Sequence, residues 1–175
     1  MNTTTNLSDE KAIEKLQDLV DDINICLFCT NLNHDNIANC RPMSPQKVDN
    51  QANLWFFSDV TSEKNREIER DQTVQLFFSS PSKNSYLVIN GTAEIIRDRQ
   101  KIEELWSPIV KTWFKEGKDD PNISILKVRT DSAYYWDTEG NRMWNFFKMI
   151  ASAATGTNLV DSSQGSLNMN NNSPN

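Results

Sequence analysis

The sequence predicts a β-rich α+β domain that closes into an antiparallel barrel, and three observations carry that prediction. Alternating apolar and polar runs at about 23–31, 36–43, 53–58, 73–79, 85–97 and 123–136 are each bounded by turn residues. Helical patterns are inserted among these runs, while the strands are grouped mainly as antiparallel neighbours. Gly91 interrupts the fifth run, as at a barrel corner where the backbone bends or another backbone approaches closely.

Taken in order, Ser8 can cap a helix from Asp9 to about Val20, with acids in its first turn and Ile13, Leu16, Leu19 and Val20 on one stripe. "NLNHDN" (31–36) reads as the hairpin turn between the first two strands. Short helices fit 62–70 and 99–114. In the latter, Ile102, Leu105, Trp106, Ile109, Val110 and Trp113 keep helical spacing, which predicts a buried stripe. Pro108 should kink that helix or divide it in two. In "YLVINGTAEII", Leu87, Ile89, Ala93 and Ile95 share one face. The segment 155–175, rich in Asn, Ser and Gly, buries too little apolar surface to order itself and is expected to be a disordered tail after a domain spanning 1–154.

Composition narrows the function. A chain of 175 residues with 37% hydrophobic residues holds one ordinary core. Its formal net charge of −6, without a Lys/Arg run, gives no general footprint for nucleic acid or an anionic membrane, so an anion must be held by a local site. No window approaches the roughly 18–20 apolar residues of a transmembrane helix. "MNTTTNLSDEKA" is unlike a signal peptide, so a cytoplasmic location is expected. An odd count of 3 cysteines argues against a disulfide framework. Cys26 and Cys29 form a C-x-x-C, but in a strand they point to opposite faces and do not readily share a metal or a disulfide. With 1 histidine, His34, neither a zinc site nor a Ser/His/Asp triad is well supplied.

One junction invites chemistry. In "LWFFSDVTSEKNREIER" (54–70) an apolar strand ends in hydroxyls, and Lys64 follows where a helix begins. A helix N-terminus presents unpaired N–H groups and the positive end of the macrodipole, which suits phosphate. Lys64 can add a full charge there. The plain alternative is that Asp59, Thr61 or Ser62 merely caps the helix while Lys64 and Arg66 are solvated. No Walker loop or G-x-G-x-x-G is present. A second unusual stretch is "CRPMSP" (40–45), where proline inside an antiparallel strand implies an edge, a bulge or a ligand.

"CRPM" followed by "LWFFSDVTSEKNREI" resembles the pyridoxamine 5'-phosphate oxidase-like FMN-binding split-barrel family, most closely its general stress protein branch. The likeness extends through "SYLVINGTAEI", "LWSPIVKTWF", "DDPNISILKV" and "AYYWDTEGNRM", over about residues 8–147. It implies a six-stranded antiparallel split β-barrel with flanking helices, binding FMN as a homodimer with flavin at the subunit interface. Arg41, Pro42 and Met43 would line the isoalloxazine, Phe57 and Ser58 its other edge, and Ser62 and Lys64 the phosphate. Trp136 resembles the tryptophan that a neighbouring subunit brings to the flavin.

Two departures bear on function. Glu63 stands where the oxidase proper has a basic residue, so phosphate binding leans on Lys64 and backbone N–H groups. The substrate signature of the true oxidase is replaced by "GNRMWNFF", so its own substrate is not implied. What the resemblance implies is flavin-dependent oxidoreduction with the substrate and electron donor open. Its alternatives are a flavin-binding stress protein without turnover, or a split barrel holding another cofactor such as F420. A single histidine in a turn argues against haem.

Overall fold

The computed structural model describes residues 3–4, 7–33, 37–137 and 163–168. Strands are β1 (Thr3–Thr4), β2 (Leu7–Ser8), β3 (Cys26–Thr30), β4 (Asn39–Met43), β5 (Lys47–Val48), β6 (Asn53–Asp59), β7 (Thr73–Ser80), β8 (Ser85–Ile96), β9 (Ile123–Asp137) and β10 (Ser163–Asn168). Helices are α1 (Asp9–Ile23), α2 (Glu63–Arg70) and α3 (Arg99–Leu105), with 3-10 turns at Pro81–Lys83, Val110–Thr112 and Gly117–Asp119. His34 lies outside the described residues, between the turn at Leu32 and Asn33 and the start of β4.

All six expected strands are present, as β3, β4, β6, β7, β8 and β9. They form one antiparallel sheet in the order β4-β3-β7-β8-β9-β6, curled but not closed: among the described residues β4 pairs only with β3, and β6 with β9 and β5. That open seam makes the barrel split. β1, β2 and β10 extend the sheet beyond β9.

Local chemistry explains the boundaries. α1 runs three residues past Val20 because Asn24, in the left-handed region at φ 54°, closes it with its N–H donating to the Val20 carbonyl at 2.7 Å. The first core strand therefore starts at Cys26 rather than near 23. α3 begins on Asp98, whose carboxylate accepts from the amides of Gln100 and Lys101. It ends at Leu105 because the chain turns extended at Trp106, ahead of Pro108. The expected helix at 99–114 is thus divided, and beyond the break its periodicity is lost. Trp113, expected on a buried stripe, is 80% exposed on a 3-10 turn. A Cβ on Gly91 would lie 2.3 Å from the Arg129 carbonyl oxygen, and the β8–β9 register shifts at Asn90/Gly91. Close backbone approach is why glycine stands there.

Two cores share β6. Leu54 and Phe56 point into the barrel with Leu16, Phe28, Leu76, Leu87 and Leu126. Phe28 and Phe56 meet edge to face at 5.3 Å. Trp55 and Phe57 point the other way, into a second core with Ile102, Leu105, Val110, Phe114 and Ile125. The continuous apolar run of β6 is explained: α3 and the following turns cover its outer face, so both faces are buried.

The outward face of β3, β7, β8 and β9 is different. Cross-strand register places Leu27, Phe77, Val88 and Tyr134 in one row and Tyr86 beside Trp136 in the next. Leu27, Tyr134 and Trp136 are 50%, 47% and 44% exposed. Bordering them is a polar row in which Gln75 donates to Asn90 at 2.8 Å and Asn90 to Ser132 at 3.1 Å.

Residues 163–168 form β10, antiparallel to β9; the rest of 155–175 lies outside the described residues. One expectation is corrected here: the cysteine count misled, because Cys29 is bridged to Cys40, directly opposite it across the β3–β4 hairpin, while Cys26 is buried and free. Cys26 and Cys29 do lie on opposite faces as expected; the partner of Cys29 comes from the neighbouring strand.

Candidate functional site

Where β6 ends, Asp59 folds the chain back. Its carboxylate accepts from the Thr61 amide and hydroxyl, both at 2.7 Å, and those bonds hold it below the usual carboxylate range. The turn delivers Ser62 to the N-cap position of α2. Its hydroxyl does not cap the helix; it donates back to the Asp59 carbonyl at 2.7 Å. The plain capping alternative for Ser62 therefore does not hold, and the positive end of α2 has no side-chain cap.

Lys64 sits two residues beyond Ser62, half-buried, with Nζ 3.2 Å from the Ser62 hydroxyl. It is not solvated in the manner of a surface lysine. Burial pushes its pKa below the ordinary lysine value, and the positive charge of Arg41 pushes it further, against a weaker pull from Asp59. Among the described residues Lys64 forms no ion pair. A half-buried lysine that feels the Arg41 charge beside an uncapped helix start makes this place locally positive.

Arg41 reaches this place from β4. One guanidinium nitrogen donates to the Thr30 hydroxyl and another to Glu67 Oε2 at 3.0 Å. Glu67, on the buried side of α2, also accepts from Thr30 and from the Asn39 amide. Burial alone would raise the Glu67 pKa, but these hydrogen bonds and the Arg41 charge win and hold it below the usual carboxylate range. Beneath the junction, Ser58 donates to Asn65 Oδ1 at 2.6 Å, the Asn65 amide donates to Ser124 Oγ at 3.0 Å, and Ser124 donates to the Ser58 carbonyl at 3.1 Å. This closed ring fixes β6, α2 and β9 relative to one another.

The structure therefore brings together Arg41, Ser58, Ser62 and Lys64 of the expected residues. The others are placed differently. The Phe57 ring packs on Trp106 and Phe114, at 5.8 and 6.2 Å, in the second core. Met43 packs against the barrel core, while Pro42 is exposed beside Leu27. Trp136 stands on the outward face next to Tyr86. Sequence reasoning missed Glu67 and Asn65. A helical projection from Ser62 would have placed Asn65 one turn on, facing Ser58. For Glu67 the sequence held no such signal, since its partners come from β3 and β4.

The fold is an open antiparallel barrel with a locally positive strand-to-helix junction. A family model described as pyridoxamine 5'-phosphate oxidase like matches residues 11–161, and the chain belongs to that family. Among solved structures it is similar to a candidate general stress protein 26 from Jannaschia sp. CCS1, with TM-score 0.73 and 21% identity over 91% of this chain and 99% of that one. It is also similar to the general stress FMN/FAD binding protein of Xanthomonas citri, with TM-score 0.64 and 24% identity over 75% of this chain and 92% of that one. A third is a protein related to general stress protein 26 from Clostridium acetobutylicum, with TM-score 0.64 and 25% identity over 74% and 90%. Protein bli-3 of Neurospora crassa is 24% identical over 90 residues, and the chain spans only 43% of that relative's length.

Proposed function

We propose that this chain is a cytoplasmic FMN-binding homodimer that acts as a flavin-dependent oxidoreductase. The observation that carries the reading is the half-buried Lys64, beside Arg41 and the uncapped N-terminus of α2. That donor set fits a phosphate monoester: a hydroxyl on Ser62, a point charge on Lys64 and backbone N–H groups, while Glu63 is exposed. Ser62 and Lys64 would hold the phosphate. Arg41 and Ser58 would lie along the ring, Pro42, Met43 and Phe57 would border it through their backbone rather than their side chains, and Trp136 would be supplied by the second subunit. The outward position of Trp136, in an apolar row with Tyr86, supports a role across an interface. When bound, FMN supplies the electron chemistry; the chain supplies orientation, charge and control of access. No helix among the described residues is long and apolar enough to cross a membrane.

A second reading, flavin binding without turnover, draws on a different observation. Glu67 already matches the charge of Arg41, the cation best placed to stabilise a reduced, negatively charged ring. Stopped-flow mixing of the flavin-loaded protein with NADH or NADPH separates the two: rapid bleaching supports the oxidoreductase, and none with any donor supports the binder. The primary test is simpler. Purified protein should carry flavin absorbance, and Lys64→Ala and Ser62→Ala should lose it while keeping native circular dichroism. Colourless protein with no FMN affinity by fluorescence quenching would overturn the reading, and a deazaflavin spectrum from extracted ligand would redirect it to F420.

A further inference from the structure

Cys29 and Cys40 sit in the one hairpin that brings Arg41 to the site. Their immediate chain neighbours are the residues that surround Glu67: Thr30 follows Cys29, and Asn39 and Arg41 flank Cys40. The strand carrying Arg41 is also the least anchored of the six. Among the described residues β4 pairs only with β3, over five residues, and Pro42 contributes no N–H to the ladder. The bridge is the covalent tie between the two strands.

We propose that Cys29 and Cys40 are a reversible thiol–disulfide pair, exchanged at Cys40 by low-molecular-weight thiols, and that the bridge regulates the anion site by fixing the strand that carries Arg41. The regulatory part rests on the reading of that site as one for a flavin phosphate. Cys40 is exposed and Cys29 buried, so attack falls on Cys40. A thiolate of the reductant bonds to Cys40 Sγ, the bond to Cys29 breaks, and Cys29 leaves as a thiolate and takes up a proton. A second reductant thiol then attacks the mixed disulfide and releases Cys40. The sum is one protein disulfide and two small thiols giving two protein thiols and one small disulfide, with two electrons and two protons passing to the protein. Disulfides in a reducing compartment are characteristically transient and sensory, which fits a bridge in a chain expected there. Cys26 stays out of the exchange: burial pushes its thiol up to about 12, and it donates to the Met43 carbonyl.

With the bridge closed, Thr30, Asn39 and Arg41 are held in register around Glu67 before any ligand arrives. With it open, ordering β4 becomes part of the cost of binding. The test uses the full chain, treated with oxidised or with excess reduced glutathione, then denatured and alkylated with a maleimide for mass spectrometry. One labelled thiol is expected after oxidation and three after reduction. FMN titrated into each native form by fluorescence quenching should bind the oxidised form about threefold or more tighter. A Cys29→Ser, Cys40→Ser double variant should show the weaker affinity under both treatments. Three labelled thiols after oxidation, or equal affinity of the two forms, overturns the proposal. If neither form binds FMN, the flavin reading alone falls, and inorganic phosphate replaces FMN as the probe; equal phosphate affinity then overturns the switch. Should the double variant not fold, the two forms of the wild-type chain still decide.

Discussion

Arg41 donates to Glu67 Oε2 at 3.0 Å, and this pair joins β4, the first expected ligand-facing strand, to the helix that begins at the candidate phosphate site. The carboxylate is the more buried partner, its side chain 8% exposed against 26% for the guanidinium. Its worth to stability lies less in attraction than in what its loss would strand. Thr30, Asn39 and Arg41 would all keep their polar atoms and lose their acceptor.

Glu67→Ala should therefore cost about 3 kcal/mol in urea unfolding, and Glu67→Gln less, about 1–2 kcal/mol, because the amide keeps an acceptor. The pH dependence has a definite sign. Glu67 titrates lower in the folded chain than in the unfolded chain, so its contribution is fully present above the unfolded value, about pH 4.3, and is lost as pH falls through the folded value. A wild-type stability curve that falls more steeply below pH 4.3 than that of Glu67→Gln is the expected result; parallel acid limbs would contradict it.

Lys64 shows the opposite balance. Its pKa is depressed by burial first and Arg41 second, so the folded chain holds this proton less tightly than the unfolded chain. Stability thus rises with pH between the lowered folded value and about pH 10.4, and at pH 7 the charged lysine is a burden. Lys64→Met should raise the stability of ligand-free protein by about 0.5–1 kcal/mol while weakening phosphate and FMN binding about tenfold or more. Thermal melts with and without ligand read both effects. A variant destabilised by a similar amount would show that Lys64 is a packing residue.

Gly91→Ala tests the corner of the barrel. The added methyl meets the Arg129 carbonyl oxygen, a backbone atom fixed between β6 and β8, and neither side has a flexible tip to give way. A loss of about 2–4 kcal/mol in urea unfolding is expected. A change under 0.5 kcal/mol would mean that the bulge at Asn90/Gly91 relaxes freely.

Phe77→Glu tests the outward sheet face. Phe77 lies between Leu27 and Val88 in the apolar row and is 39% exposed in the single chain. Charge there should leave the fold intact and shift sedimentation from the proposed dimer to monomer. An unshifted dimer would place the interface elsewhere.

Much of this was legible in the sequence, and the exceptions share a cause. Period-two runs located all six core strands, Gly91 announced a close approach, and Pro108 announced a break. Signals of that kind are local, being written in a residue and its near neighbours. Trp113 misled because a helical count was carried through Pro108, past which the backbone is no longer α-helical. Cys29 with Cys40, and Glu67 with Arg41, Thr30 and Asn39, depend on which strand lies beside which, and no spacing along the chain records that. At the candidate site, the strand end and helix start that carry Ser62 and Lys64 were readable because they are local. The charge that balances Arg41 was not.

The 15 residues of β9 pair with β8 along nearly their whole length, with β6 over the first half and with β10 over the second. Change of partner falls near Thr130, whose hydroxyl donates to the Ala52 carbonyl at 2.7 Å. β9 is in that sense the keel of the molecule: its amides should be the last to exchange with deuterated solvent, and an unfolding force should meet its greatest resistance there. The hairpin holding Arg41 hangs at the far gunwale, where opening is cheapest. The strand that resists opening most and the strand that resists it least thus lie four strands apart in one sheet.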